Sequence, residues 1–378
     1  MKEQADTLII NGYLLAMDDK GTLLNHGGVA IKGDRIIDVG SSSRIESMYQ
    51  AEKVIDATRM AIMPGLIDTY GHAGHGMIGG WHTPIDGWPA GELYWHATTP
   101  EWWYAEAQLA ATERLRFGTT TGASIIGSTP ARTDSPIFAF MNAEAYTKVG
   151  IRGIFGVGPP DVFGSHIASP WSGSYLENGE WVKKNFTYED ALKNTVEIID
   201  KWHNGTNGRI KIALAPPYLF GRQASHRRYG YEYKPEDIPV MLEKAQEIRT
   251  IANEQKVQIH THFFKGSVDF ALEHFGREKV DELLGPDVVI AHGNGLQSSE
   301  VQAIGENKCS VATAPSTAED IWYGYAPVIE LLKAGANVTI STDGSAPRFN
   351  FDLWKDIVKE MWHQWIKHDD QKLIPVGL

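Results

Sequence analysis

From Met63-Pro64-Gly65 onward the chain keeps one rhythm, in which a short apolar run is followed by an amphipathic stretch long enough for a helix. The runs at 65–70, 119–125, 150–157, 210–215, 257–262, 288–292, 308–312 and 337–342 predict parallel strands. Helices are predicted over 100–117, 137–148, 188–203, 235–255, 268–275, 298–305, 318–334 and 351–367. This alternation, sustained over about 310 residues, predicts an α/β chain folded as a (β/α)8 TIM-type barrel rather than an open sheet. The reactive face of such a barrel lies at the C-terminal ends of its strands, so function is sought in the side chains that close each run.

Residues 1–60 read differently. Short β-type runs at 7–10, 13–17, 29–31, 35–39 and 53–55 are separated by turn signals at Asn11-Gly12, Asp18-Asp19, His26-Gly27-Gly28 and Lys32-Gly33-Asp34. They predict a small antiparallel unit, an N-terminal β-sandwich segment over 1–60, with the barrel over 61–378. A chain of 378 residues, 42% of them hydrophobic, can bury the core this needs.

Charge narrows the partners. Lys and Arg number 35 against 47 Asp and Glu, for a net charge of -12, which argues against a nucleic-acid or anionic-membrane surface. The single cysteine, Cys309, excludes an intramolecular disulfide and a cysteine-built metal site. The polar start and the lack of an apolar run of about 18 residues predict a soluble, cytoplasmic protein.

The strand ends carry the chemistry. The first run closes in Asp68-Thr69-Tyr70-Gly71-His72-Ala73-Gly74-His75, the fifth in His260-Thr261-His262, the sixth in Ala291-His292-Gly293 and the eighth in Ser341-Thr342-Asp343-Gly344. Imidazoles and one carboxylate at the same end of different strands are a donor set suited to zinc or iron. Any one of the 14 histidines has a bland reading as a hydrogen-bonded structural residue, but coincidence at several strand ends favours a site.

Met63-Pro64-Gly65-Leu66-Ile67-Asp68-Thr69-Tyr70-Gly71-His72, then His260-x-His262, Ala291-His292 and Ser341-Thr342-Asp343-Gly344 resemble the amidohydrolase superfamily. Within it the chain is similar to the chlorohydrolase and aminohydrolase branch, whose members act on triazines, guanine and related rings. Val54-Ile55-Asp56-Ala57 is also similar to the end of that branch's first segment. The resemblance implies a hydrolase of carbon–nitrogen bonds other than peptide bonds, working with one divalent ion, zinc in the first place and iron in the second. It implies His72, His262 and Asp343 as ligands, Asp343 as the group that takes the proton of the attacking water, and His292 as polarising donor or proton-transfer helper.

Two positions depart from the family. His-x-His becomes Tyr70-Gly71-His72, and a phenol with an ordinary pKa of about 10 is a poor zinc ligand at neutral pH. Tyr70 binds as phenolate, or His75 replaces the missing imidazole, or water completes a site with three protein ligands. Loss of the metal is the remaining outcome, leaving an inactive barrel that serves as a binding or assembly subunit. Lys265 stands where many members carry a Glu that protonates a ring nitrogen; it is an auxiliary acid or donor, or it points to solvent. Its presence weighs against purine- or pterin-like deamination and toward amide, urea or carbamate substrates, or displacement of a substituent such as chloride from an electron-poor ring.

The segment 80–104 holds Trp81, His82, Trp88, Tyr94, Trp95, His96, Trp102 and Trp103, an aromatic wall for a flat, small, neutral heteroaromatic ligand or else a packed lid or subunit contact. His166 and Pro216-Pro217-Tyr218 fall in loops after the third and fourth strands that build a pocket, with Trp81, Trp88, Trp95 and His166 as the substrate-binding candidates. His260 is predicted to be a hydrogen-bonded interior residue. Family members continue past the eighth helix with strands that complete the N-terminal unit, so residues 1–60 are expected to form an incomplete sandwich. Its open edge would be covered by a partner subunit in a homo-oligomer, or the chain is a truncated form.

Overall fold

The structure is a computed structural model and describes residues 2–78, 90–126, 132–160, 171–220, 233–318, 324–344 and 350–372. The chain divides into two compact units, one holding residues 1–65 and the other residues 66–374.

In the first unit β1 (Glu3–Leu15), β2 (Leu23–Lys32), β3 (Arg35–Ser41), β4 (Tyr49–Asp56) and β5 (Ala61–Ile62) form one sheet in the order β3-β2-β1-β4, with β5 also beside β1. The expected antiparallel arrangement is corrected here: β1, β2 and β3 alternate, but β4 and β5 run parallel to β1. The helix Ser42–Met48 is the cause, because it carries the chain back so that β4 starts from the same end as β1. Asn11-Gly12, expected as a turn, is a bulge inside one long strand, with Asn11 at φ 66 and shifted register on both sides of Gly12. A Cβ on Gly12 would lie 2.5 Å from Ile62 Cγ1, so the bulge needs glycine to let β5 approach. Ala5, Leu8, Ile10, Ala30, Ile45 and Tyr49 form the core of this unit.

The second unit contains β6 (Leu66–Asp68), β7 (Thr119–Ile125), β8 (Arg152–Val157), β9 (Trp171–Glu177), β10 (Glu180–Phe186), β11 (Ile210–Leu214), β12 (Gln258–Phe263), β13 (Val288–His292), β14 (Ser310–Thr313) and β15 (Asn337–Ile340). Eight of these pair in parallel in the order β6-β7-β8-β11-β12-β13-β14-β15, a (β/α)8 barrel with helices between successive strands. An isolated bridge between Gly71 and Asp343 closes it, with the Asp343 amide donating to the Tyr70 carbonyl at 3.0 Å. The first helix after β6 in the expected series, Pro100–Arg116, starts where Thr99 accepts from the Trp102 amide and proline fills the first turn.

Two elements differ from expectation. The helix expected over 318–334 is described only as the short Pro315–Ala318 and the later Val328–Ala334, with 319–323 outside the described residues. The hairpin β9–β10 was not anticipated, although Asn178-Gly179 at its turn, with φ of 52 and 86, is the dipeptide that a primed hairpin turn requires.

Trp103, Phe138, Phe155, Ile290 and Leu331 belong to the main core. Tyr70, Ile125, Ala215, Val289, Ala291 and Ala312 form a separate cluster of mostly small side chains. Among the described residues no helix is long and apolar enough to cross a membrane.

Candidate functional site

Four strand ends converge. The Tyr70 hydroxyl lies 2.7 Å from His262 Nε2 and 3.3 Å from His72 Nε2. His72 Nε2 stands 3.1 Å from Asp343 Oδ1, and His292 Nε2 lies 3.9 Å from the other oxygen, Oδ2. All of these side chains are buried. The neighbouring strands set two of them directly, since β12 pairs with β13 so that His262 stands opposite Ala291 and Phe263 opposite His292.

The backbone is bent to present them. His292 has φ 68 and Asp343 φ 54, left-handed values that cost a non-glycine residue on the order of 1 kcal/mol or more and that gather where the surroundings enforce them. His262 is oriented by Pro217, whose carbonyl accepts from both the His262 amide (3.1 Å) and Nδ1–H (2.9 Å). That bond fixes the tautomer, leaving the Nε2 lone pair directed at the cluster. The His292 ring stacks on Phe264 at 5.3 Å and on His262 at 5.4 Å.

Burial dominates the electrostatics. It pushes His262 down to about 3, helped by the like charge of His292 and His72, and it lowers His292 as well. Burial alone would raise Asp343, but His292 and the hydrogen bond from His72 outweigh it and hold the carboxyl well below the usual range. The arrangement is a neutral imidazole and a carboxylate kept ionised, the protonation states that a cation or an attacking water requires.

The remaining expected residues are placed as follows. His75 stacks on His72 at 4.8 Å with the ring planes 15° apart, and a Cβ on Gly344 would meet its Nδ1 at 2.1 Å. Rings lying nearly parallel, one over the other, cannot aim in-plane lone pairs at one point, so His75 does not replace the missing imidazole in this arrangement. Lys265 is exposed, and its backbone amide donates to the Asn294 carbonyl. Trp95 is buried in a separate cluster with Trp171, Phe186 and Tyr188, stacked on Phe186 at 5.3 Å, and is not brought to the strand-end group. Tyr94 faces His75 at 6.4 Å, and Tyr218 leans over His262 at 5.7 Å. His96 contacts Ser174 Oγ at 2.9 Å, while His260 is buried with Nε2 3.4 Å from Gln258 and is pushed down to about 4 by burial. Trp81, His82, Trp88 and His166 lie outside the described residues.

Sequence reading passed over Glu106, Arg114 and the contacts of Asp68. Glu106 is fully buried, accepts from the Gly76 amide at 3.2 Å in the loop after β6, and is pushed up to about 7 by burial. Asp68 pairs with Arg114 at 2.9 Å, both fully buried. The signal for Asp68 was available, because a carboxylate in an apolar strand run must find a buried partner.

The fit to a divalent ion turns on Tyr70. Counting imidazoles, thiols and carboxylates alone, no group of three among the described residues is set to hold a metal ion. The phenol oxygen of Tyr70 lies within hydrogen-bond distance of both imidazole nitrogens. With it included, the separations of 3.1 Å between His72 and Asp343 and 3.3 Å between Tyr70 and His72 are close to the roughly 3.3 Å between ligands on a tetrahedral centre with bonds of about 2.0–2.1 Å. The 2.7 Å hydrogen bond between Tyr70 and His262 is shorter than that spacing by about 0.6 Å. Two imidazoles, a carboxylate and a phenol are thus a donor set of the kind a divalent ion takes, and His72 stands at ligand spacing from both Asp343 and Tyr70.

A barrel that gathers imidazoles and an ionised aspartate at the C-terminal mouth of its strands defines the class of water-activating barrel hydrolases. The chain belongs to the amidohydrolase family, whose pattern matches residues 61–372. A 5-methylthioadenosine/S-adenosylhomocysteine deaminase of Syntrophobacter fumaroxidans is 27% identical over 363 residues, 94% of this chain and 72% of that protein. A 5'-deoxyadenosine deaminase of Methanococcoides burtonii is 26% identical, over 98% of this chain and 76% of that protein. An adenosine deaminase from Xanthomonas campestris with bound zinc superposes with TM-score 0.75 at 19% identity, covering 98% of this chain and 76% of that one. An atrazine chlorohydrolase from Arthrobacter aurescens complexed with zinc gives 0.71 at 21% identity, covering 97% and 78%. The protein is a hydrolase of carbon–nitrogen bonds that brings water to an sp2 carbon.

Proposed function

We propose that the protein hydrolyses an amide, urea or amino-substituted heteroaromatic compound, a small neutral molecule, with one zinc ion that would be held by His72, His262 and Asp343, with Tyr70 as a further donor and a position left open for water. The observation that carries this is the meeting of Tyr70, His72, His262, His292 and Asp343 within hydrogen-bond or ion-pair distance at the strand ends. A divalent ion, when bound, lowers the pKa of water toward neutrality and polarises the carbon under attack.

The side chains do the rest. Asp343, kept ionised, accepts the proton of the attacking water and later delivers it to the leaving nitrogen. His292, stacked and buried beside it, donates from Nε2 to the atom on which negative charge develops. His262 is held neutral and in one tautomer by Pro217. Lys265, exposed in the described geometry, has a part only if its loop turns inward on substrate. Trp81, Trp88 and His166 remain candidates for the substrate wall.

Ring deamination is the second reading, favoured by relatives named as deaminases of adenosine derivatives. Cytoplasmic location and self-association belong to the same proposal. The last is supported by an exposed apolar ridge, Trp354, Val358, Trp362 and Ile366, spaced one helical turn apart on Leu353–His368.

The test is a zinc titration of the full chain beside a panel of anilides, aryl ureas, amino- and chlorotriazines, adenosine and 5'-deoxyadenosine. Release of amine or ammonia from amides, ureas or aminotriazines supports the first reading, and ammonia from adenosine alone supports the second. A chain that takes up no zinc at neutral pH is the inactive barrel.

A further inference from the structure

We propose that Asp68, held by Arg114, is the positioning residue that sets Asp343 at the mouth of the barrel, an inference that rests on the role given to Asp343 above. The seam between the first and last strands is the place where the barrel lacks a regular ladder among the described residues, being joined there by the isolated Gly71–Asp343 bridge. Asp68 spans this seam with both oxygens. Its Oδ1 accepts from the Thr342 amide at 3.0 Å, and Oδ2 accepts from the Thr342 hydroxyl at 2.8 Å. Thr342 immediately precedes Asp343, whose own amide is tied to the Tyr70 carbonyl at 3.0 Å. The left-handed turn at Asp343 is thus tied twice to the first strand and its extension, through the Asp68 side chain on Thr342 and through the Tyr70 carbonyl on the Asp343 amide.

Arg114 makes Asp68 rigid. Its Nε donates to Asp68 Oδ2 at 2.9 Å, Nη2 to the Ala123 carbonyl at 2.9 Å, and Nη1 to Ser124 Oγ at 3.3 Å and to the Tyr146 hydroxyl, while its guanidinium lies 4.1 Å from the centre of the Phe351 ring. The strands are built to admit it. A Cβ on Gly71 would lie 2.5 Å from Arg114 Nη2, and one on Gly122 would lie 2.5 Å from its Cδ. A buried ion pair is weak support for stability, since matched apolar groups serve as well. Glycine clearance on two strands for one guanidinium, at the seam beside Asp343, favours placement of that carboxylate over general stiffening.

The test uses the full chain with Asp68→Asn and the milder Thr342→Val, which removes only the hydroxyl bond. Hydrogen exchange of the 337–344 segment is read in metal-free protein, and the visible absorption bands of the cobalt form and zinc affinity by chelator competition are read in loaded protein. Asp68→Asn is expected to speed exchange at 337–344 about tenfold relative to 258–263, to shift the cobalt bands, and to weaken zinc binding by about 10–100-fold. Thr342→Val is expected to move the same readouts in the same direction, by less. Exchange rising equally in all strands, with cobalt bands and zinc affinity unchanged, would overturn the proposal in favour of a purely structural clasp. If Asp68→Asn does not fold, Thr342→Val decides alone. A parent chain that binds neither zinc nor cobalt defeats the zinc reading, while the exchange measurement still decides whether Asp68 holds the Asp343 segment.

Discussion

The two sides of the barrel mouth are built on different principles. Where β12 meets β13, a ladder of backbone pairs runs from Ile259 to Phe263 and from Val288 to His292, and sheet register places His262 and His292, with the Pro217 carbonyl orienting the His262 ring. Where β15 meets β6 there is one bridge among the described residues, and side chains take over: Asp68 on Thr342, Arg114 on Asp68, and the Thr69 hydroxyl on that of Thr339 at 2.8 Å. The ladder side carries histidines that follow the family motif. The seam side carries Tyr70, which departs from it, and Asp343 in its left-handed turn. The ladder carries His262 and His292 to the mouth through backbone pairing, with a left-handed turn only at its last residue, His292, whereas at the seam side-chain anchors hold the turn at Asp343 at the cost of buried polar groups.

The comparison breaks most visibly at Arg114. Arg114→Ala leaves Asp68 buried without its cation and is expected to cost about 3–5 kcal/mol. On the ladder side Thr261→Val, which removes the 2.8 Å bond to the Leu219 amide, is expected to cost about 1 kcal/mol. Urea unfolding of the two variants checks the ratio, and equal losses would mean that the seam is no more dependent on side chains than the ladder.

Glu106 supplies a pH dependence on the seam side. Its carboxyl is raised from 4.5 to about 7 in the folded chain, so the folded state favours its protonated form. The associated stability is complete below the unfolded value and is lost as pH rises through the folded one, a swing of about 3 kcal/mol. Glu106→Gln is expected to flatten the fall in stability between pH 5 and pH 8, as measured by urea unfolding at both ends. A slope identical to the parent's would show that the buried carboxyl does not titrate in this range.

Tyr70→His tests the departure itself. Restoring an imidazole is expected to tighten zinc retention about tenfold, near 1.4 kcal/mol, in a competition assay with a chromophoric chelator. Retention no better than the parent's would mean that the phenol already serves as well. The smallest effect belongs to Thr69→Val, which removes one hydroxyl pair at the seam and is expected to cost about 1 kcal/mol or less, read from the unfolding midpoint.

Much of the mouth was legible because its residues end apolar runs of fixed period. The sequence places His72, His262, His292 and Asp343 at one end of the barrel, since barrel topology brings all strand ends together. Lys265 was placed by the resemblance, at the position where family members carry a Glu, and that correspondence does not tell which way a residue points once the strand has ended. Trp95 was expected over the site because its segment follows β6, but a tryptophan beside Phe186 and Trp171 gains more by packing with them. Asn11-Gly12 carries the dipeptide of a turn, yet the same left-handed geometry serves a bulge, and only pairing with β4 and β5 decides between them. Asp68 and Arg114 are 46 residues apart, and nothing local announces that they meet.

The hydrolytic chemistry proposed for this mouth depends on two imidazoles, a carboxylate and a phenol sharing one ion. Zinc K-edge X-ray absorption of the zinc-loaded full chain reads that environment directly. The expected result is one zinc with two imidazole nitrogens and otherwise oxygen at about 2.0–2.2 Å, with the imidazole signal falling to one in His262→Ala. Three or more imidazoles around the ion, or a spectrum unchanged by His262→Ala, would contradict it.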